Sequence, residues 1–198
     1  MGMTAEIRPH KGDALLIVDV QNDFLPGGAL AVPNGDEVVP VLNRYIERFS
    51  RLGLPIHATR DWHPADHCSF VERGGPWPKH CVAGTGGAGF APGLALPADA
   101  NIVSKATTRD EEAYSGFAGT ALNAQLRSLG VGRLFVGGLA TDYCVLNTVK
   151  DARALGYEVI LLTDAIRAVD VKPEDGARAE AQMRRLGAQS AEFDALAA

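Results

Sequence analysis

Residues 134–156 read LFVGGLATDYCVLNTVKDARALG, and this stretch decides the fold. The apolar run at 134–136 predicts a buried strand, two glycines follow it, and a helix is predicted from about 141 to 155. Thr141 or Asp142 can cap this helix, because its side-chain oxygen accepts hydrogen bonds from the free amides of the first turn. A strand that leads through a short turn into a helix is the repeating unit of α/β proteins.

The same alternation of apolar runs and amphipathic stretches continues on both sides of this unit. Further strands are predicted at 15–18, 55–59, 101–103, 157–162 and 188–192. Further helices are predicted at 38–52, 120–129 and 173–186. Strands that alternate with helices indicate one α/β domain, residues 1–198, built on a parallel sheet.

A long loop is predicted between the second and third strands, at residues 61–100. It holds three of the five histidines, two of the three cysteines and both tryptophans. Loops of this length in compact domains are usually functional. We therefore expect part of the chemistry of the chain to lie in this loop.

Bulk composition argues against several classes of partner. The net charge is −5 with interspersed signs and no run of lysine or arginine, which argues against binding to nucleic acid or anionic membranes. No apolar stretch reaches the length of a membrane span. Residues 1–11 lack the apolar core of a signal peptide, so a cytoplasmic location is expected. Three irregularly spaced cysteines fit free thiols in a reducing compartment better than a disulfide framework.

Cys144 falls in the first turn of the helix predicted at 141–155. The partial positive charge at a helix amino terminus favours thiolate, which is the nucleophilic form of cysteine. Asp19 directly follows the first strand and Lys105 follows the third, and ligands of parallel sheets bind beyond the carboxyl ends of the strands. The three side chains are therefore candidates for one cleft.

This trio has a coherent chemistry for acyl transfer from an amide to water. A carboxylate can take the thiol proton and deliver it to a leaving amine, while an ammonium lowers the thiol pKa and holds negative charge. Amides at the start of the helix can receive an oxyanion. Each residue also has an ordinary interpretation: Cys144 as a small packed residue, Asp19 as a cap, and Lys105 as a solvated surface charge.

A metal site is predicted after the second strand. Asp61 and His63 are two apart in an extended segment and so point the same way, and His80 follows within the loop. Two imidazoles and a carboxylate suit zinc, iron or manganese, with positions left for water or substrate. His67 is a candidate fourth ligand and Glu72 a weaker one. The alternative is that these histidines are surface or capping residues.

Two other patterns in the loop compete with this interpretation. His-Cys pairs at 67–68 and 80–81 loosely resemble a structural zinc site, but adjacent ligands cannot easily both point inward, so the two cysteines are interpreted as packed residues. Glycines at 84, 86 and 89 match a dinucleotide-binding pattern, but no strand leads into it and no helix leads out, so we reject it.

Aromatic side chains near these positions can wall a pocket for a flat ring. Four are candidates for this role: Phe24, Trp77, Tyr114 and Phe117. Any one of them can equally be part of the core.

Five segments resemble the isochorismatase-like hydrolases, and more closely their nicotinamidase/pyrazinamidase branch. They are DVQNDFLPGGAL at 19–30, TRDWHPADHCSF at 59–70, WPKHCVAGT at 77–85, EAYSGF at 112–117 and GLATDYCV at 138–145. The resemblance implies a three-layer α/β/α fold, with helices on both faces of a central parallel sheet of about six strands. It also implies hydrolysis of nicotinamide to nicotinate and ammonia in NAD salvage, with pyrazinamide as a further substrate.

Matched by position, the resemblance implies a role for each residue of the trio and of the metal cluster. Asp19, Lys105 and Cys144 match the family's catalytic triad, which acts through a Cys thioester. The ligands of one divalent metal ion, zinc first and iron or manganese as alternatives, match three positions: Asp61, His63 and His80. His67 falls where some members place another ligand.

The resemblance also implies how the substrate is held. The Ala140 and Cys144 amides match the oxyanion hole, and the Leu139-Ala140 bond matches a cis peptide. Positions expected to contact the substrate are Phe24, Trp77, Tyr114 and Gln21. The implied partner is the small molecule nicotinamide, with no nucleic acid and no membrane, and assembly into a homo-oligomer is left open.

Two other functions remain as alternatives. One is a metal-free hydrolase of the same superfamily that acts on isochorismate, another vinyl ether or another small amide. The other is a non-catalytic member that serves as a binding or scaffold protein. The intact trio argues against the second, because a protein freed from catalysis has no need to hold three such residues at separate strand ends.

Overall fold

The computed structural model describes residues 7–197 and shows a central six-stranded sheet with helices packed against it. Residues 1–6 and 198 lie outside this description. The domain predicted at 1–198 includes all of them, and the amino-terminal segment at 1–11 includes the first six. The strands are β1 (Asp13–Val18), β2 (Ile56–Asp61), β3 (Asn101–Lys105), β4 (Arg133–Leu139), β5 (Glu158–Arg167) and β6 (Gln189–Ala191). The helices are α1 (Val38–Arg51), α2 (Leu122–Ser128), α3 (Leu146–Ala154) and α4 (Asp175–Arg185).

Two apolar layers enclose the sheet, one on each face. Leu15 and Ile17 of β1 face the layer that contains the apolar side of α1. Leu16 and Val18 face the opposite layer, to which α2, α3 and α4 contribute. Because successive side chains of a strand point to opposite faces, a continuous apolar run such as β1 requires cover on both sides. The predicted three-layer α/β/α fold is confirmed.

All strand pairs are parallel, and their order is β3-β2-β1-β4-β5-β6. The chain builds outward from β1 through β2 to β3, then returns to the other side of β1 and continues outward from β4 to β6. The order therefore reverses between β1 and β4. Ligands of open α/β sheets bind in the crevice outside the carboxyl ends of the strands at such a point.

The strand at the centre of the sheet is longer than predicted, because it includes the glycine pair. Gly137 and Gly138 pair with Ile17 and Val18 of β1. At Gly138 the φ angle is +123°, and a Cβ would lie 2.1 Å from the Val18 carbonyl oxygen. Only glycine can therefore bring β4 this close to β1 at this position. The sequence-based prediction ended this strand at residue 136, before the two glycines.

The helix predicted at 141–155 divides into two parts. Thr141–Val145 form a turn of π-helix, and α3 follows. The N–H of Val145 donates to the Ala140 carbonyl at 3.1 Å, five residues back along the chain. Such π turns are often found at functional sites, and this one carries Cys144.

Residues 62–100 form the long connection that was predicted between the second and third strands. Val71–Arg73 form a short 3-10 turn within it, and His63 pairs with Val82 in an isolated parallel bridge. Within residues 7–197, no helix combines the length and the apolar composition needed to cross a bilayer.

His57 is a buried histidine whose two ring nitrogens have no hydrogen-bond partner among the described residues. It pairs with Leu16 across β1 and β2, so its side chain lies on the face that α2 covers. Burial lowers the pKa of His57 from 6.5 to about 4, because the imidazolium loses its hydration. As the pH falls from 6.5 to about 4, His57 binds a proton in the unfolded chain but not in the folded protein. The folded state therefore loses stability over this range.

Replacement of His57 with leucine is therefore expected to reduce the decrease in the free energy of unfolding between pH 6.5 and about pH 4. The depressed pKa costs the folded state about 3 kcal/mol at the lower end of this window. Urea denaturation of metal-free protein at neutral and at acidic pH measures the effect. His10→Ala is the matched control, because His10 is exposed. If the free energy of unfolding of His57→Leu falls with pH as much as that of the wild type, the lowered pKa of His57 is not the cause.

Candidate active site

Three chain segments bring Asp19, Lys105 and Cys144 together at the predicted edge of the sheet. Asp19 follows β1, Lys105 ends β3, and Cys144 lies in the turn after β4. The Lys105 Nζ lies 2.9 Å from the Asp19 Oδ2 and 3.5 Å from the Cys144 Sγ. All three side chains are buried. The structure thus joins residues that are far apart in sequence.

Asp19 is held in place through its backbone and one carboxylate oxygen. It adopts a left-handed conformation with φ +48°, uncommon for a residue with a side chain. Its Oδ1 accepts a hydrogen bond of 2.7 Å from the Thr59 hydroxyl. Its Oδ2 contacts Lys105 as an ion pair but accepts no hydrogen bond of good geometry from the described residues. This oxygen is therefore open to receive a proton.

The charges of the cluster are strongly interdependent. Burial raises the pKa of the Cys144 thiol well above its usual value, since Lys105 only partly offsets the burial and Asp19 and Asp61 add to it. Burial also raises the pKa of Asp19, against the opposing effect of Lys105. The pKa of Lys105 is raised, because Asp19 and Asp61 outweigh its burial.

These directions add the effect of burial to the sequence-based chemistry. A helix terminus and an ammonium were expected to lower the pKa of Cys144, and Lys105 does lower it, but burial outweighs that effect. The raised pKa of Cys144 means that the resting side chain is a thiol. Its proton must then be transferred when the sulfur attacks, and a carboxylate whose own pKa is raised is a suitable acceptor.

Asp61, His63 and His80 form a second cluster, which contacts the Asp19–Lys105–Cys144 cluster through Asp61. Each offers a ligand atom, and these atoms lie within 4.8 Å of one another. The Asp61 Oδ2 is 3.6 Å from the His63 Nε2, and the Asp61 Oδ1 accepts from the Lys105 Nζ at 2.5 Å. Burial alone would raise the pKa of Asp61, but Lys105 and His63 hold it below its usual range. Asp61 is therefore an anion shared by both clusters.

The tautomers of the two histidines fit a metal ion. The His80 Nδ1 lies 2.7 Å from the Pro78 carbonyl oxygen, and the His63 Nδ1 lies 3.3 Å from that of Ala106. A carbonyl only accepts, so each Nδ1 carries the proton and each Nε2 keeps its lone pair. The His63 Nε2 is buried without a hydrogen-bond partner among the described residues. One carboxylate and two imidazole lone pairs form a donor set that suits a divalent metal ion such as zinc, iron or manganese.

The other predicted ligands do not join this cluster. Both ring nitrogens of His67 are engaged: Nδ1 is 2.8 Å from the Ser69 hydroxyl, and Nε2 is 2.9 Å from the Glu111 carbonyl oxygen. Its ring packs against that of His63, with 4.3 Å between the centroids. Glu72 is exposed on the 3-10 turn. In this conformation neither side chain offers a free donor atom to the metal site.

The alternative structural zinc site is not assembled among the described residues. Cys68 and Cys81 are free thiols that belong to no group of metal-ligating atoms there. Cys81 is buried, as expected for a packed residue, whereas Cys68 is partly exposed.

An aromatic pocket opens beside the Cys144 sulfur. Its lining includes three of the predicted ring-contacting residues, Phe24, Trp77 and Tyr114. The Trp77 Nε1 donates a 3.0 Å hydrogen bond to the Tyr114 hydroxyl. The cavity volume is about 30 Å³, well below the roughly 300–1,000 Å³ usual for small-molecule pockets. We therefore expect side chains at the rim to shift when an aromatic substrate enters.

Two residues predicted near the substrate have other partners. Gln21 uses its whole amide on the backbone: Nε2 donates to the Asp61 and Ala88 carbonyls, and Oε1 accepts from the Asp61 N–H. It positions Asp61 and is absent from the pocket lining. Phe117 stacks on Tyr157 in the core, with 5.9 Å between the rings.

Three lining residues were missed from the sequence: Leu30, Tyr143 and Val169. Tyr143 is adjacent to Cys144, and its position beside the nucleophile was the available signal. Val169 lies just beyond the carboxyl end of β5, where strand-end reasoning would have found it. The prediction ended that strand at 162, whereas β5 runs to Arg167.

The peptide between Leu139 and Ala140 is cis, as the resemblance implied. Ala140 leads directly into the π turn, so its amide and that of Cys144 belong to the segment that carries the sulfur. Both residues also line the pocket. The two residues of the predicted oxyanion hole thus lie together beside the pocket.

Comparison with known proteins identifies the family of the chain. Residues 13–192 match the Isochorismatase domain. The chain belongs to the isochorismatase family. It is 42% identical over 196 residues to the nicotinamidase of Escherichia coli (strain K12), covering 88% of this chain and 92% of that protein.

Several solved structures are similar to this chain over nearly their whole length. One is the pyrazinamidase of Pyrococcus horikoshii in complex with zinc, with 53% identity and a TM-score of 0.88 over 92% of this chain and 99% of that one. Another is PnC1 from L. infantum in complex with nicotinate, with 36% identity and a TM-score of 0.87 over 96% and 98% of the two chains. The resemblance predicted from the five segments is confirmed.

Proposed function

We propose that this protein is a nicotinamidase that hydrolyses nicotinamide to nicotinate and ammonia, and that pyrazinamide is also a substrate. The observation that carries the proposal is the junction at Asp61, whose carboxylate contacts both Lys105 of the nucleophile trio and His63 of the metal cluster. This junction adjoins an aromatic pocket that also exposes Cys144. The names of the E. coli and P. horikoshii relatives support the same activity.

One divalent metal ion, zinc in our proposal, would be held by Asp61, His63 and His80. The zinc in the P. horikoshii relative supports this choice, and iron or manganese are the alternatives for such donors. When bound, the ion supplies a Lewis acid that can fix the ring nitrogen of the substrate. The proposal also includes a single hydrolase domain, a cytoplasmic location and a role in NAD salvage, on the sequence grounds given above.

In the first half-reaction, Cys144 attacks the carboxamide carbon while Asp19 takes the thiol proton. A carboxylate oxygen of Asp19 and the Cys144 Sγ lie within 4.8 Å of each other, and the Asp19 Oδ2 has no hydrogen-bond partner among the described residues. The peptide N–H groups of Ala140 and Cys144 receive the oxyanion. Protonated Asp19 then delivers its proton to the nitrogen as the carbon–nitrogen bond breaks, which releases ammonia and leaves a thioester.

In the second half-reaction, a water molecule attacks the thioester carbonyl and Asp19 again acts as the base. The carbon–sulfur bond breaks, the sulfur recovers its proton, and nicotinate is released. Lys105 contacts Asp19, Asp61 and the sulfur. Its ammonium stabilises negative charge wherever it develops in this buried cluster.

Ammonia release from nicotinamide, with and without a chelator, tests the proposed function. The expected result is turnover that the chelator removes and added zinc restores. Benzamide, which lacks the ring nitrogen, is the matched substrate control and is expected to react much more slowly. Turnover of isochorismate or another substrate, unaffected by chelator, would favour the metal-free alternative. Absence of any turnover would favour the binding protein.

His63→Ala is expected to weaken zinc affinity by more than about 100-fold, because loss of a ligand exceeds the 10- to 100-fold typical of residues behind the ligands. His67→Gln is expected to retain one zinc ion per chain, because both nitrogens of His67 are already hydrogen-bonded. Competition titration with a chromophoric chelator measures both affinities. Loss of zinc from His67→Gln to the same extent would make His67 the fourth ligand.

A further inference from the structure

A single residue, Cys81, connects the two histidines of the proposed metal site through its backbone. It directly follows His80 in the chain, and its carbonyl accepts a 3.0 Å hydrogen bond from the N–H of His63. Its φ angle is +45°, in the left-handed region that residues with side chains rarely adopt. Something outside this residue must therefore hold its peptide in place.

The group that holds the Cys81 peptide is the carboxylate of Asp23. The Asp23 Oδ2 accepts a 2.7 Å hydrogen bond from the Cys81 N–H. Asp23 lies in the 3-10 turn after β1, and the Asp23 Oδ1 also accepts from the Ala29 N–H at 3.3 Å. A carboxylate that accepts from backbone amides forms a charge-assisted hydrogen bond, which is stronger than a neutral one.

The carboxylate is confined by a glycine on the opposite segment. A Cβ on Gly87 would lie 2.1 Å from the Asp23 Oδ2, so the carboxylate packs directly on the Gly87 Cα. The Asp23 N–H donates to the Gly87 carbonyl at 3.0 Å. Gly87 has no unusual φ angle, whereas a Cβ on its neighbour Gly86 would meet nothing within 4 Å. The space at Gly87 is therefore required by Asp23 and not by the backbone.

We propose that Asp23 is a positioning residue for the metal site, which it shapes through Cys81. Its carboxylate keeps the Cys81 peptide in the left-handed conformation. That peptide sets the orientation of the His80 side chain and, through the hydrogen bond from the His63 N–H to the Cys81 carbonyl, the position of His63. Without the carboxylate, Cys81 relaxes and the two Nε2 atoms lose their spacing. This inference rests on the proposed metal site at Asp61, His63 and His80.

Zinc affinity of the purified full-length protein, measured by competition with a chromophoric chelator, tests the proposal without use of the activity. Asp23→Ala and Gly87→Ala are both expected to weaken zinc binding by about 10- to 100-fold, as is usual for groups that orient ligands. Gly86→Ala and Asn43→Ala are the matched controls and are expected to stay within about twofold of the wild type. Asn43, on α1, also joins a loop to a helix: its side chain donates a hydrogen bond to the Gly93 carbonyl and accepts one from the Ala95 N–H. It lies outside the metal cluster.

If Asp23→Ala and Gly87→Ala fail to fold, the zinc affinity of Asp23→Asn tests the proposal instead. Asparagine keeps the shape and one acceptor for the Cys81 N–H, so its affinity is expected to fall between those of Asp23→Ala and the wild type. Wild-type affinity in Asp23→Ala, or in Asp23→Asn where that variant decides, would overturn the proposal. Failure of the metal site itself has a different signature: the wild type binds no zinc, or His63→Ala binds it as tightly as the wild type.

Discussion

Cys144→Ala is expected to lower kcat/KM for nicotinamide by at least about 10⁴-fold, because Cys144 is the only cysteine among the described residues that lines the pocket. The Cys144 sulfur lies 3.5 Å from the Lys105 ammonium and borders the aromatic pocket. The rate of ammonia release, followed by a coupled assay, measures the loss. Mass spectrometry of wild-type enzyme quenched during turnover should also show an acyl adduct on the peptide that contains Cys144.

The fold and the metal site should survive this substitution. Alanine removes one atom, and the free energy of unfolding is expected to change by about 1 kcal/mol or less. Zinc affinity should stay at the wild-type level, since Cys144 is not among the proposed ligands. Cys68→Ala is the matched control: it removes a partly exposed thiol and should leave turnover unchanged. Substantial turnover by folded Cys144→Ala would exclude the covalent mechanism.

The layers of the fold could be predicted because burial leaves a direct trace in the sequence. Residues 15–18 are apolar without interruption, and such a run fits only a strand that is covered on both faces. The convergence of Asp19, Lys105 and Cys144 followed from the rule that parallel strands present their carboxyl ends at one edge. Neither inference needed to know which strand pairs with which.

Strand register, by contrast, has no trace in a single sequence. The pairing of Asp61 with Lys105 across β2 and β3 places the proposed metal ligand in contact with the ammonium. The sequence-based reasoning kept these residues in separate sites, because the carboxyl ends of β2 and β3 were each predicted two residues too early. The coupling of the two clusters through Asp61 is therefore a result of the structure.

Residues that can play two polar roles were the other limit of prediction. An amide side chain after a strand can contact a substrate or bind backbone, and Gln21 does the second. An imidazole near a metal site can be a ligand or a hydrogen-bonded neighbour, and His67 has the contacts of the second. Residue type and spacing are the same in both cases. The difference lies in which carbonyls and amides the fold brings within reach.

Lys105→Met is expected to destabilise the metal-free protein by about 3–5 kcal/mol near neutral pH, the usual cost of removing one partner of a buried ion pair. The Lys105 Nζ contacts the Asp19 Oδ2 at 2.9 Å and the Asp61 Oδ1 at 2.5 Å. Methionine fills similar space but leaves two buried carboxylates facing each other without a cation. Turnover should fall by at least about 100-fold, since the cluster also loses its stabilisation of negative charge.

The pH dependence of this loss separates an electrostatic cause from a packing defect. In the wild type, Lys105 and His63 hold the pKa of Asp61 below its unfolded value, so that contribution to stability is lost only in strong acid. In Lys105→Met, the folded-state pKa of Asp61 is expected to rise, and that of Asp19, which burial already raises in the wild type, is expected to rise further. Protonation on acidification then relieves the repulsion, so the difference in stability between variant and wild type should narrow as the pH falls.

Urea denaturation at neutral pH and near pH 5 measures this narrowing, with Lys150→Met as the control because Lys150 is exposed on α3. The control should match the wild type at both pH values. A stability difference for Lys105→Met that stays constant with pH would mean that Lys105 fills space and does not balance charge. The ammonium would then have no electrostatic part in the proposed mechanism, because the same balance that stabilises Asp19 and Asp61 at rest is the one that Asp19 uses when it exchanges a proton with Cys144.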